Sequence, residues 1–481
     1  MTAGATTPPL DDVTGARQEL TVVLPARLRR TPTWPEGPFP FELGIRRTDT
    51  RTRATYFAPA SARALYGAPG RPCRWHQPLD VKHEGVRLLG VELLRAATAR
   101  DPEHALAVLH FTVETPILPV LRTLAARDPA TAGEPLPGLT GPFDPAVLLA
   151  GVADVQDPTA PFALARPYTI AFLSPTERHT PALREGPEGR LPATADHWLW
   201  QLASRSNPQD FPLAPETAAD HVRDAVRISA DWSALVLRQG AAFLGHRPDS
   251  GDGDFYGFGA LHSRTIYLDA LLLGALQRDH IDELTDELSE VFTSPRRLAG
   301  RVAGLERSIA LFRSGYWRQH LTAHGPANEL LLAFQNQHRL PARFNEILAE
   351  AADYSRLVQT QESQQISGAL GVLTVLGLPL GTALGILQVL GDDSLPHLLV
   401  ALALSVAATA GVLTTRYGRL VLSSLRGGKG GSARCGPAGS QFLCYGMRTN
   451  AGEPTPAGVP SSRAQRTTHG RDLDNPQEVP P

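Results

Sequence analysis

Small residues and residues with hydroxyl or amide groups recur in the uncharged stretch 366–390. At this spacing on a helix they could line a path for a cation. Four of them are candidates for lining such a pore: Thr374, Gly381, Gly385 and Gln388. Glycines four residues apart let helix backbones approach closely. Pro379 would remove one backbone hydrogen bond and expose a carbonyl group to a protected interior. The pattern predicts either close packing between two helices or a polar strip along a path through an oligomer.

Acidic residues form two further groups that could attract or bind a cation. Asp392 and Asp393 follow the uncharged stretch and are candidates for the acidic outer mouth of a pore, or else for a solvated turn. Asp249, Asp252 and Asp254 lie in a glycine-rich segment, but they lack the ligand spacing and the terminal Glu of an EF-hand. No specific metal site is therefore predicted at either place.

Catalytic motifs are missing from the sequence. There is no HExxH, GxSxG or Walker loop, and the glycines of 251–257 depart from the dinucleotide-binding spacing. His104 and His110 have no third partner that would complete a metal site, so core or surface positions are expected for both. The chain is predicted not to be an enzyme and to need no cofactor.

The elements that would position these groups are two uncharged segments, 366–390 and 395–415, separated by the short break 391–394. A bilayer core about 30 Å thick is crossed by about 20 apolar helical residues, and each segment is long enough. We therefore expect two transmembrane helices joined by an outer loop. The alternative is a pair of core helices in a soluble protein, although soluble helices usually keep a polar face.

Charge asymmetry gives this hairpin an orientation. Basic residues follow the second segment within 416–429, Arg356 precedes the first segment, and the loop has neither Lys nor Arg. The positive-inside rule then places both termini in the cytoplasm. The segment 1–17 has no apolar core of a secretory signal and is expected to be disordered. These features predict a multi-pass protein of the inner or plasma membrane, with the lipid bilayer as a partner.

The whole-chain composition indicates that this hairpin is a minority of a larger protein. The 481 residues are 42% hydrophobic and 20% charged, with a formal net charge of −2. A nucleic-acid partner is not expected, because nucleic-acid binders usually show a strong basic bias. The three cysteines form neither a disulfide framework nor a metal motif.

Residues 18–262 are predicted to form an α+β cytoplasmic domain with a mixed sheet, because strand patterns concentrate there and helical patterns follow. The expected strands are 19–25, 39–46, 54–57, 86–94, 105–114, 166–173, 233–244 and 255–262, with a helix over 119–127. A helical section over 263–341 would contain helices at 267–292, 296–323 and 327–338.

A long stalk helix is predicted over 342–365, directly before the first uncharged segment. It carries a heptad seam composed of Phe344, Ile347, Ala351, Tyr354, Val358, Gln361 and Gln365. The seam predicts either packing against the soluble domain or association with copies of the same helix. The tail 416–481, basic at its start, has few apolar residues and is expected to be disordered.

The C-terminal part of the chain resembles the CorA-type magnesium channels. The resemblance covers roughly residues 342–426, and Gly371–Gly385 carries it, because Leu373-Thr374-Val375 and Pro379-Leu380 are similar to the first-span signature of that family. It implies a homo-oligomer, a homopentamer in that family, and a passive channel or transporter for Mg²⁺ or another divalent cation. The family's Gly-Met-Asn triplet is replaced by Gln388-Val389-Leu390. The alternative function is a membrane-anchored oligomeric scaffold or sensor without transport activity.

Overall fold

The computed structural model describes residues 9–44, 46–98, 100–124, 141–155, 167–182, 194–206, 216–217, 220, 222–293, 298–317, 320–322, 325–390 and 395–414. The chain divides into two compact units, Met1–Leu370 and Gly371–Pro481, and the boundary falls within one long helix.

A mixed sheet is the centre of the first unit. Its strands are β1 Arg17–Leu28, β6 Arg74–His83, β7 Val86–Arg95, β8 His104–Val113, β9 Ala153–Val155, β10 Tyr168–Ser174, β11 Val226–Arg227, β12 Trp232–Val236 and β13 Gly240–Gly245. Their order is β11-β12-β13-β10-β1-β8-β7-β6, with β9 paired to β1. Only β10 and β13 pair in parallel among these described strands. The predicted α+β domain with a mixed sheet is confirmed.

Two small ribbons, eleven α-helices and four short 3₁₀ helices complete the described elements. The ribbons pair β2 Glu42–Leu43 with β3 Arg46–Arg47, and β4 Gly67–Ala68 with β5 Arg71–Pro72. The helices are α1 Thr50–Ala54, α2 Pro59–Tyr66, α3 Ile117–Leu124, α4 Pro145–Leu148, α5 Thr194–Ser204, α6 Phe255–Ser263, α7 Ile266–Glu290, α8 Leu298–Gly315, α9 Gly325–Gln337, α10 Leu340–Leu390 and α11 Leu395–Thr414.

Alternating side chains of the sheet enter two hydrophobic cores, one on each face. The face that we call the helical face packs against α2, α6 to α9 and the start of α10. The opposite face packs against α3 and α5. In β1, Val23 belongs to the core of the helical face, whereas Val22 and Leu24 belong to the other core. Fully burying a side chain of this size stabilises the fold by about 1.5–3 kcal/mol.

Several local predictions differ from the structure. The expected single strand 233–244 is two antiparallel strands, β12 and β13, because the chain reverses between Val236 and Gly240. The expected strand 255–262 is α6, because Asp254 caps it by accepting a hydrogen bond from the Tyr256 amide. The expected strand 54–57 follows the end of α1, a short helix capped by Asp49. Leu10, within the segment predicted to be disordered, is fully buried in the core.

The predicted transmembrane helices 366–390 and 395–415 are wrong. In the part of the chain that the structure describes, no helix combines the length and the apolarity needed to cross a membrane. The prediction rested on the length of the two segments and on their lack of charge. The described residues of the first segment include Ser367, Gly381, Thr382 and Gln388, which contribute little or unfavourably to transfer into lipid. The predicted multi-pass membrane localisation, with cytoplasmic termini, depended on these helices and is wrong as well.

The predicted stalk and the first uncharged segment form one continuous helix, α10. Phe344, Ile347 and Ala351 from the first part of the heptad seam are buried in the core of the helical face. The Phe344 ring lies 5.1 Å from the ring of Phe312 in α8. The first half of the heptad seam therefore packs against the domain, which is one of the two predicted alternatives.

Candidate anion-binding site

A cavity of about 300 Å³ lies on the helical face, between the α1 region and the junction of α6 with α7. This size is at the lower end of the range for small-molecule sites. Its lining residues are Arg47, Thr48, Thr52, Arg53, Tyr56, Phe258, Leu261, His262, Thr265 and Ile266. Among the residues that the structure describes, the lining contains two arginines and a histidine but no Asp or Glu, which favours an anion as its occupant.

Arg47 is the exposed cation of this cavity. Its side chain is 63% exposed, and its ionic partner is Glu42 at 3.9 Å, which is 67% exposed. An exposed pair at this distance contributes only about 0–1 kcal/mol, because water screens both charges and ordering two long side chains opposes it. The guanidinium of Arg47 can therefore leave Glu42 for a better partner at little cost.

Arg53, in contrast, is a fixed part of the cavity wall. It is almost fully buried, and each of its three guanidinium nitrogens has an acceptor. Nε donates to the Thr48 carbonyl at 3.2 Å, Nη2 to the Phe39 carbonyl at 2.6 Å, and Nη1 to the Asp269 carboxylate at 3.4 Å. These bonds join α1, the segment before it and α7, so Arg53 holds the two sides of the cavity together.

The N-terminus of α7 adds positive potential on the opposite side. Thr265 precedes this 25-residue helix, yet its hydroxyl donates to the Leu261 carbonyl at 2.7 Å and leaves the helix without a side-chain cap. The partial positive charge of a helix N-terminus favours nearby anions. Phe258, Leu261 and Ile266 supply the apolar surface beside it.

Local capping explains why the two walls form where they do. Asp49 accepts a hydrogen bond from the Thr52 amide at 2.9 Å and starts α1. Asp254 accepts from the Tyr256 amide at 3.0 Å and starts α6. Bonds from Arg247 and Ser250 hold the pKa of Asp254 well below its usual value, although partial burial opposes them. The acid therefore remains a charged acceptor at the start of α6.

Asp269 anchors the buried wall from the helix side. Its carboxylate accepts from Arg74 at 2.6 Å, from the Tyr66 hydroxyl at 2.7 Å and from Arg53. All of these groups are buried. Burial, reinforced by the charge of Asp269, holds the pKa of Tyr66 above its usual value, so the phenol stays a donor.

A second carboxylate continues this network across the sheet. Glu92 in β7 accepts from Arg74, and His110 in β8 contacts it at 2.7 Å. Burial alone would raise the pKa of Glu92, but Arg74 and His110 hold it below the usual value. Burial lowers the pKa of His110 despite its contact with Glu92. Two arginines thus balance two carboxylates, and the network needs no external ion.

The pore candidates do not belong to this site. Gly381 and Gly385 lie in the second unit on α10, each with open space where a Cβ would be, and Gln388 is exposed. The side chain of Thr374 lies outside the described residues, as do Asp392 and Asp393. In the second unit the Thr382 and Ser405 hydroxyls lie 3.2 Å apart, which joins α10 to α11.

The acidic glycine-rich segment has a structural role. Asp249 accepts from Arg17 at 2.8 Å and from the Ser174 hydroxyl at 2.7 Å, and Asp254 caps α6. His104 contacts Asp279 at 3.0 Å, whereas His110 lies in the Glu92 network. Within the described ranges, no group of three or more His, Cys, Asp or Glu side chains is arranged to hold a metal ion.

Sequence reasoning missed the cavity residues. Arg47 and Arg53 lie in an Arg- and Thr-rich run, 46–53, between the expected strands 39–46 and 54–57. Arginine is abundant throughout this chain, so no single arginine stood out as an anion ligand. The available signal was the alternation of Arg and Thr with a capping Asp49, which predicts a helix start with several donors.

No protein-family model, curated protein or solved structure matches this chain. The resemblance to CorA-type channels, the homo-oligomer, and the passive movement of a divalent cation remain predictions. The expectation that the chain is not an enzyme also remains a prediction.

Proposed function

We propose that the α+β domain is a binding module for a small organic anion, which occupies the cavity between α1 and the α6–α7 junction. The observation that carries this proposal is the lining itself: basic and hydroxyl groups with an apolar wall, and no carboxylate. A site with this composition attracts negative charge and excludes cations. Of the functions considered from the sequence, the proposal is nearest to a ligand sensor without transport activity.

Binding would use Arg47 as the ligand-contacting cation and Arg53 as the positioning group. An anion entering from the exposed side replaces Glu42 as the partner of Arg47. The new ion pair forms at the exposed rim of the cavity, where a charge-assisted contact of two parallel hydrogen bonds with the guanidinium is stronger than the single 3.9 Å contact with Glu42. Arg53 keeps its three acceptors throughout, so the wall does not have to reorganise.

The test is isothermal titration calorimetry of the full chain with a panel of small carboxylates and inorganic phosphate. We expect at least one anion to bind, and Arg47→Gln to weaken that binding about tenfold or more. The matched control is Arg51→Gln, which removes the same charge from an exposed residue of α1 outside the cavity. Failure of every anion to bind, or equal losses in the two variants, would refute the proposal.

A further inference from the structure

We infer that the ligand of this cavity is a monocarboxylate with a compact aromatic body, an inference that rests on the anion-binding function proposed above. Three features of the cavity favour such a ligand: the few donors left available, the planar shape of the Arg47 guanidinium, and the apolar surface opposite it.

The donors of the cavity are mostly committed to the protein. Arg53 uses all three nitrogens, and its charge is balanced in the Asp269 network. The Thr48 hydroxyl donates to the Phe41 carbonyl at 3.0 Å, and the Thr265 hydroxyl donates to the Leu261 carbonyl. The Thr52 hydroxyl lies within 3.1 Å of three acceptors in its own turn.

Among the described lining residues, this commitment leaves Arg47 as the arginine with which a ligand can exchange partners. One guanidinium matches one anionic charge. A phosphate monoester carries about −1.5 to −2 charges and three acceptor oxygens, and proteins usually surround it with several cationic or amide donors. The cavity is therefore suited to a singly charged ligand.

The geometry of Arg47 favours a planar acid. A guanidinium presents two parallel N–H groups that fit the two oxygens of a carboxylate, whereas a lysine ammonium offers no such fork. The hydroxyl protons of Thr48 and Thr52 point to acceptors of the protein itself, so Arg47 supplies the hydrogen-bond donors for an acceptor-only group. The polar end of the ligand is thus a carboxylate at the exposed rim of the cavity.

The remaining wall is apolar and partly aromatic. Tyr56, Phe258 and His262 contribute rings, and Leu261 and Ile266 contribute aliphatic surface. Aromatic groups packed edge-to-face or offset against such rings gain interaction energy beyond that of their buried area. A cavity of about 300 Å³ is at the lower end of the range for small-molecule sites and suits a compact ligand. Benzoate and phenylacetate have the corresponding size.

The experiment compares five probes by calorimetry on the full chain: benzoate, phenylacetate, acetate, benzamide and inorganic phosphate. We expect an aromatic carboxylate to bind at least tenfold more tightly than acetate, benzamide and phosphate. Arg47→Lys should retain part of this binding, and Arg47→Gln should lose most of it. Phosphate or acetate binding as tightly as both aromatic acids would overturn the inference while the anion-binding function stands. If none of the four anions (benzoate, phenylacetate, acetate and phosphate) binds, the anion-binding function itself is refuted.

A paired substitution tests the aromatic body separately. Phe258→Leu, in the cavity wall, should weaken phenylacetate binding at least threefold. Phe255→Leu removes an exposed ring from the same helix, outside the cavity, and should leave binding unchanged. Thermal unfolding of both variants shows whether the fold is intact. Equal effects of the two substitutions in folded protein would contradict the placement of the ring.

Discussion

Asp269→Asn is expected to destabilise the first unit by about 3–5 kcal/mol. Asp269 is fully buried and accepts from Arg53, Arg74 and Tyr66. In the native network two arginines face two carboxylates, and the substitution leaves two buried positive charges against Glu92 alone. Removing one partner of a buried ion pair typically costs this much, because the remaining charge stays desolvated. The loss is a large part of the 5–15 kcal/mol that stabilises a typical domain.

Denaturant unfolding followed by tryptophan fluorescence measures this loss. All six tryptophans precede residue 318, so the signal reports the first unit. The midpoint should fall while the slope m stays constant. Adding Arg53→Met to Asp269→Asn restores the balance of one arginine against one carboxylate, and should recover about 0.5–3 kcal/mol relative to the single variant.

An exposed pair supplies the control. Asp80→Asn breaks the surface contact with Arg87, and no change in midpoint is expected. If Asp269→Asn costs less than about 1 kcal/mol, or if the double variant is no more stable than the single one, the charge-balance reasoning fails.

Three further predictions concern other parts of the first unit. Gly274→Ala places a Cβ 2.6 Å from the Phe334 ring and should destabilise the domain by about 1–3 kcal/mol in denaturant unfolding. Burial lowers the pKa of His104, but Asp279 raises it to a net value above the ordinary 6.5. The pair therefore stabilises the fold fully below pH 6.5 and less as pH rises through the folded pKa, so His104→Gln should lose more stability at pH 5.5 than at pH 8.5. The Tyr168 hydroxyl is buried without a hydrogen-bond partner among the described residues, so Tyr168→Phe should leave the melting temperature unchanged or raise it.

Each of these has a control or a contradicting result. Gly300→Ala in α8 meets open space and should be neutral or slightly stabilising. A loss for His104→Gln that is equal at both pH values would show that the charge of the imidazole does not contribute. A drop in melting temperature for Tyr168→Phe would show that its hydroxyl has a partner, such as an ordered water.

The sequence predicted the strands that are long, buried and rich in β-branched residues. The expected strand 105–114 corresponds to β8, and 86–94 corresponds to β7. The region of β6 was missed, because it is polar over much of its length, contains Pro78, and lies at the edge of the sheet. The run 255–262 is short and apolar, and periodicity alone does not separate a strand from a buried helix in such a run.

The candidate site was beyond sequence reasoning for a different physical reason. Arg53 and Asp269 are 216 residues apart in the chain, and nothing local marks them as partners. Whether an arginine is committed to the protein or available to a ligand depends on acceptors that only the folded chain brings together. Arg47 and Arg53 are identical in sequence terms, yet one is exposed and the other is fixed in a wall.

The position of β1 has a consequence for how the protein is made. This N-terminal strand lies in the middle of the sheet, between β8 and β10, and its Arg17 amide bonds to Ser174, 157 residues later. During synthesis at about 5–20 residues per second, β1 leaves the ribosome many seconds before its second neighbour exists. Pairings this distant in sequence also form slowly. The nascent chain must therefore keep an apolar, unpaired strand edge shielded for that interval, which makes it a candidate client for cellular chaperones and a chain whose expression should improve at low temperature.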